Sequence, residues 1–325
     1  MQRLIMVLWI GLGIHLVAAV EFAHAETQGP QPLLKRSAFS AAQKTGHIEA
    51  DQLVECSGME ASRVDDDLLW AVNDGGHGPF LYAIGKDGRD RGRVRITGAE
   101  NRDWEGLDIF LWHGRAMILI ADFGDNKQRH DTHTLYVVPE PKLPGKRTET
   151  GQTVDVAWRI VYAYPDRHHD SEGVAVDTDA RRVYVLTKRD DPPILFSLPL
   201  QPLHENETAV ARSMATLPHI PKPSADDMLH PYGHVRSQPT ALDLSPDGQK
   251  MVVLTYKHAY LFSRLPGADW RSTVAARHPP ALIPLPLPQD CPDLRQREAI
   301  CYATDGRSIW LTSEGQQPGL FQLQE

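Results

Sequence analysis

The 325-residue sequence has no cluster of Lys or Arg and a formal net charge of −8, which argues against nucleic acid or an anionic membrane as partner. It also lacks C-x-x-C, H-E-x-x-H and G-x-S-x-G. Their absence excludes the usual thiol-redox, zinc-hydrolase and serine-hydrolase arrangements. No stretch shows the 3.6-residue apolar period of a long amphipathic helix, and no apolar run reaches the ~20 residues a membrane span needs. Cysteine is scarce as well, with only Cys56, Cys291 and Cys301 present.

What the chain does have begins with a leader. Arg3 precedes an apolar run from Leu4 to about Val20, and Ala23-His24-Ala25 stands before Glu26. This is the pattern of a secretory signal with an A-x-A cleavage site. It predicts a signal peptide at 1–25, a single domain at 26–325 and a periplasmic or secreted protein with no membrane insertion after cleavage. No cysteine follows the cleavage site, so lipid anchoring is not expected. All three cysteines fall in the exported part, where oxidation is permitted. A Cys56–Cys291 bridge would pin the closure of a ring of repeats, and Cys291–Cys301 is the alternative.

The mature chain is organised by a short phrase that recurs five times. It is plainest as Glu105-Gly106-Leu107, Glu172-Gly173-Val174 and Glu298-Ala299-Ile300, and weaker as Ser57-Gly58-Met59 and Thr240-Ala241-Leu242. A run rich in β-branched and aromatic residues follows each copy, as in Leu119-Ile120-Ala121-Asp122 and Trp310-Leu311-Thr312-Ser313. Five copies with short alternating strands and turn signals such as Ser245-Pro246-Asp247-Gly248 predict an all-β propeller. Five blades are expected. Six would require strands inside Pro218 to Gln238, against which its four prolines count. The last repeat has only three strands, so the stretch from Glu26 to about Ala50 is expected to lend the fourth and close the ring.

In such a ring the first strand of each blade lines the channel, which places Ser57, Glu105, Glu172, Thr240 and Glu298 at one mouth. Three carboxylates so close together call for a cation or hydrogen-bond donors among them. Lys188, aligned by sequence with Asp74, Asp122, Tyr256 and Ser313, can serve. So can Ca²⁺, held by Glu105 and Glu172 or by Asp122, Asp125 and Asn126. The structural alternatives are that each Glu accepts backbone N–H groups from the next blade, and that Asp122, Asp125 and Asn126 cap a turn. His169, just before Glu172, and Glu298 are the candidate bases for any hydrolytic reaction. Trp104 is expected to pack one blade on another.

The segments Asp103-Trp104-Glu105-Gly106, Ala121-Asp122-Phe123-Gly124-Asp125-Asn126, Ser171-Glu172-Gly173-Val174 and Glu298-Ala299-Ile300 resemble a group of exported bacterial β-propeller proteins. That group is loosely similar to the phytase-like and SMP-30/gluconolactonase-like propellers. The resemblance implies a metal at the channel mouth of the hydrolytic relatives, and Glu105, Asp122 and Glu172 are the matching positions here. Two positions depart from it: Ser57 replaces a Glu in the first blade, and Lys188 intrudes near the ligand positions. The expectation is therefore a monomer that binds a small-molecule or peptide ligand at an acidic mouth. The alternatives are a Ca²⁺-dependent hydrolase of ester, lactone or phosphoester bonds, and an envelope scaffold.

Overall fold

The computed structural model describes residues 34–143, 151–202, 204, 207–275 and 279–325; the leader and its cleavage site lie outside them. Each repeat folds into an antiparallel sheet whose first strand is innermost. The five inner strands are Cys56–Ala61, Trp104–Trp112, Ser171–Asp177, Pro239–Leu244 and Arg297–Tyr302. Each touches the inner strand of the next blade, and the last touches the first, so they enclose a central channel. The chain is a five-bladed β-propeller. Pro218 to Gln238 adds no sixth blade, because it forms only two 3₁₀ turns, Asp227–Leu229 and Gly233–Val235.

The blades hold together because both faces of every sheet are apolar. Successive residues of a strand point to opposite faces. In the second strand of blade 2, Met117, Leu119 and Ala121 enter the core shared with blade 3, while Ile118 and Ile120 enter the core shared with blade 1. Five such clusters fill the five seams of the ring. At ~1.5–3 kcal/mol for each fully buried Ile, Leu or Val, a seam outweighs any single polar contact in the molecule. Trp104 packs as expected: it is fully buried in the seam between blades 1 and 2, and its indole Nε1 donates to the Glu100 carbonyl.

The outer segments of blades 2 and 3 each divide into two strands. The first pairs across blades, with Thr153–Asp155 running parallel to the edge of blade 1 while Trp158–Ala163 completes blade 2. In the same way Thr208–Val210 joins the edge of blade 2 and Arg212–Thr216 completes blade 3. Each lent strand covers an edge that would otherwise expose unpaired backbone groups.

Closure comes from the N-terminal side, as the three-stranded last repeat requires. The closing strand is Gln43–His47, antiparallel to Gly319–Gln324, with Lys44 Nζ donating to Asp293 at 2.8 Å. Upstream residues do different work: Ser37 N donates to the Leu282 carbonyl of blade 4 and Leu282 N donates back to Lys35. No disulfide assists closure, since all three cysteines are free. Cys56 and Cys301 point into the seam between blades 5 and 1, whereas Cys291 packs beside the seam between blades 4 and 5. The sheet of blade 5 stands between Cys291 and either partner expected from sequence.

A chain shortened to begin at Ile48 loses the strand that covers blade 5. Its thermal unfolding is expected to fall by more than about 5 °C, and an unchanged midpoint would show that the ring closes without this pairing.

Candidate functional site

Every inner strand carries a β-bulge at the recurring phrase. The register slips between Cys56 and Gly58, Trp104 and Gly106, Ser171 and Gly173, Pro239 and Ala241, and Arg297 and Ala299. Ser57, Glu105, Glu172, Thr240 and Glu298 are thus the five bulged residues. A bulge leaves its residue outside the ladder and re-aims the side chain, here towards the channel. The small residue after each bulge lets the inner strands approach closely: a Cβ on Gly58 would lie 2.8 Å from the Gly106 Cα. Beneath the mouth the channel is almost filled, with a residual cavity of about 10 Å³ lined by Ser57, Glu105 and Glu172 among others, room for about one water.

The two hydroxyls of the ring are structural. Ser57 Oγ donates to the Trp104 carbonyl at 2.7 Å and Thr240 Oγ1 to the Arg297 carbonyl at 2.9 Å, tying blade 1 to blade 2 and blade 4 to blade 5. Among the described residues, the three glutamates accept no such inter-blade backbone bond. Glu172 is ion-paired with Lys188, but its Oε2 is buried with no hydrogen-bond partner. Glu298 accepts from the Tyr256 hydroxyl. Glu105 is buried, and its carboxyl is pushed well above the usual range by that burial and next by Glu172. Burial works against the Lys188 ammonium, yet Glu172, Glu298 and Glu105 more than offset this and keep it charged.

The bulges also change which residues face Lys188. The ladder sets Asp122 opposite Trp104, Thr187 opposite Ser171 and Ser313 opposite Arg297, so the positions equivalent to Lys188 are Asp74, Phe123, Tyr256 and Glu314. Asp122 and Ser313, aligned with Lys188 by sequence, stand one residue away, and a one-residue shift reverses the face of a strand. Asp122 instead accepts from Asp103 N at 2.8 Å. Asp125 Oδ2 accepts from the Arg129 and His130 amides, and Asn126 Oδ1 accepts from Arg189. These three therefore shape the loop after the second strand of blade 2.

His169 is fully buried between Asp190, 2.7 Å from Nδ1, and Asp166, 3.1 Å from Nε2. Burial pushes its pKa down, but the two carboxylates outweigh it and hold the ring above its usual value. With both nitrogens engaged, it offers no lone pair to a substrate.

Sequence reasoning missed most of the mouth. Asp74, Asp103 and Glu105 offer carboxylate oxygens within 4.8 Å of one another. Asp103 is pushed up to about 7, first by burial and then by Asp74, with which it hydrogen-bonds. Glu314 is pushed up to about 10, by burial and then by its contact with Glu298. Space for Asp103 comes from two glycines: a Cβ on Gly75 would lie 2.5 Å from its Oδ1, and one on Gly124 2.5 Å from its Oδ2 and 2.7 Å from Glu105 Oε1. The signals in the sequence were the glycines of Asp74-Gly75-Gly76 and Phe123-Gly124, whose role as space for the Asp103 carboxyl no local pattern reveals.

Three residues beyond the bulge lies a second ring that sequence reasoning did not single out. Glu60, Asp108 and Asp243 are all buried, with oxygens within 4.8 Å of one another. Asp108 Oδ2 accepts from Val176 N at 2.5 Å and Asp243 Oδ2 from Tyr302 N at 2.6 Å. The inter-blade carboxylate bonds considered for the phrase glutamates thus occur at this deeper level.

No protein-family model matches the chain, and no curated protein matches its sequence. Similar solved structures include hydrazine synthase of Kuenenia stuttgartiensis, at 10% identity over 82% of this chain and 70% of that one, with a TM-score of 0.41. A luciferin-regenerating enzyme is 10% identical over 87% of this chain and 95% of that one, with a TM-score of 0.42. Raptor of Chaetomium thermophilum is 9% identical over 90% of this chain and 29% of that one, with a TM-score of 0.43. Likeness at this identity and TM-score carries no argument about ligand or reaction, and the fold rests on the five sheets themselves.

The deeper ring sets a pH dependence. Burial raises Glu60 well above its ordinary value and lifts Asp108 to about 6 and Asp243 to about 8. The folded chain keeps protons here that the unfolded chain releases, so the contribution is full below the ordinary carboxylate pKa of 3.8–4.5 and is lost as pH rises through about 8. Glu60→Gln removes one of these protons. It is expected to be near neutral at about pH 5 and increasingly stabilising as pH rises from there, read from denaturant midpoints; a pH-independent effect would show that the ring does not titrate.

Proposed function

We propose that the protein is an exported binding protein that takes the cationic part of a small or peptide ligand, or a divalent cation, at the acidic channel mouth, without covalent chemistry of its own. Export rests on the leader pattern. The observation that carries the reading is the buried, unpartnered Oε2 of Glu172 in a mouth already crowded with Asp74, Asp103, Glu105, Glu298 and Glu314. A buried oxygen without a donor costs ~1–3 kcal/mol, and carboxyls this close repel one another until a proton or a cation comes between them. Asp74, Asp103 and Glu105 are the groups that would hold Ca²⁺, in a cradle that Gly75 and Gly124 keep open.

The same triad supports the hydrolase reading, because a metal held there would polarise an ester, lactone or phosphoester oxygen. Of the two candidate bases, only Glu298 faces the mouth. His169 is held by two carboxylates outside it.

Thermal unfolding in EDTA and then in excess Ca²⁺ tests the cation. Binding to the native state alone at 100-fold over Kd adds ~2.7 kcal/mol, an upward shift of several degrees, and Glu105→Gln is expected to abolish most of it while leaving the EDTA midpoint within about 2 °C. Equal midpoints in EDTA and Ca²⁺ would remove the metal and leave Lys188 as the internal counter-charge. Turnover of an ester, lactone or phosphoester panel in Ca²⁺ would favour the hydrolase.

A further inference from the structure

The insertion between blades 3 and 4 builds a second concavity against the mouth. A cavity of about 670 Å³ lies between this segment, the end of the second strand of blade 4 and the loop into blade 5. That volume suits a ligand of a few hundred daltons. Two of its lining residues also bond the mouth: Tyr256 donates to Glu298, and Gln296 Nε2 donates to Glu314 Oε2 at 2.8 Å. The cavity and the acidic mouth therefore share a wall.

Their polarities are opposite. Arg236, Arg295 and His230 line the cavity, and among the described residues no carboxylate does. Arg236 is held in place by Asp227, a buried carboxylate whose Oδ1 contacts Arg236 Nη1 at 3.3 Å and Lys257 Nζ at 2.8 Å. Asp227 Oδ2 accepts from Ser224 N and Oγ as well. Burial alone would raise this carboxyl, but Lys257 and Ser224 hold it far below the usual range. The hub fixes an otherwise irregular loop. In the same loop Tyr232 adopts a left-handed backbone with φ 58°, which a bulky residue rarely does, and it lines the cavity while the residue stays 78% exposed. Such strain persists only where the surroundings impose it.

We propose that the cavity is the ligand's second subsite and that the ligand is amphoteric. Its anionic end lies against Arg236 and Arg295, a flat or aromatic middle lies under Tyr232, and its cationic end lies against Glu298 and Glu314. This assignment rests on the reading of the mouth as a cation site and adds the chemistry of the whole ligand. A short peptide with a basic N-terminal residue and a free C-terminus has the required charge order.

Calorimetric titration with lysyl-phenylalanyl-glycine tests it on the mature protein, alongside its C-terminal amide and an acetylated norleucine counterpart. The free peptide is expected to bind, and each blocked form to bind at least about tenfold more weakly, the usual cost of losing one charge-assisted contact. Arg295→Gln, an exposed change that spares the Asp227 hub, should shrink the preference for acid over amide. Arg236→Met should abolish that preference if it folds. Equal affinity for acid and amide, no loss on blocking the amine, or no binding of any form at about 1 mM overturns the proposal. The Ca²⁺ response of the same sample scores the mouth separately, so a pocket that fails beside an intact Ca²⁺ shift is told apart from a mouth that fails.

Discussion

The bulge that opens each inner strand governs the channel, because it decides at five equivalent places which side chain leaves the ladder. A regular strand would send alternate residues into the two seams and leave nothing for the axis except backbone. By inserting one extra residue opposite the last ladder pair, the chain places a polar group at the mouth and follows it with a glycine or alanine, so that neighbouring strands can close in. Where that residue is Ser57 or Thr240, its hydroxyl joins the next blade. Where it is Glu105, Glu172 or Glu298, the charge is left to be balanced by Lys188, by shared protons or by what binds there. Structure and candidate function thus occupy one register position and differ only in residue type.

The seams make this arrangement tolerable. Gathering six carboxyls around one lysine, with further acids buried below, is unfavourable by several kcal/mol for each unpaired charge. Only a scaffold with five continuous apolar interfaces can hold such a cluster in place. The deeper acids offset part of their own cost by accepting amides from the following blade. The mouth acids do not, and an unmet cost of that kind is commonest where a ligand is to be bound.

The blades, their number and their inner strands were legible in the sequence, because the phrase at 57, 105, 172, 240 and 298 repeats and apolar alternation marks both faces of each sheet. Residues around the mouth were less legible. A bulge adds a residue to one strand without leaving a mark in composition, so Asp122 and Ser313 were matched to Lys188 where Phe123 and Glu314 stand. The pairing of Asp74 with Asp103 crosses from one blade to the next, and no local pattern encodes it. The lent strands were invisible for a similar reason: Thr153–Asp155 and Thr208–Val210 have strand composition, but their partners lie in a different repeat. In the insertion, proline and histidine content correctly excluded another blade but gave no hint of the Asp227 hub, whose donors come from three separate places in the chain.

The lent strands also bear on how the ring is made. Blade 1 has no finished outer edge until the chain extends through Asp155, and blade 2 has none until it reaches Val210. Gln43–His47 must in turn wait for the final strand, Gly319–Gln324. A ring of independent repeats can assemble one unit at a time, each resting on its neighbour. Here blades 1 and 2 each stay open until the chain has passed into the following repeat, so a growing chain would carry an unfinished sheet edge through most of its length, and the final strand would close only the last blade onto Gln43–His47.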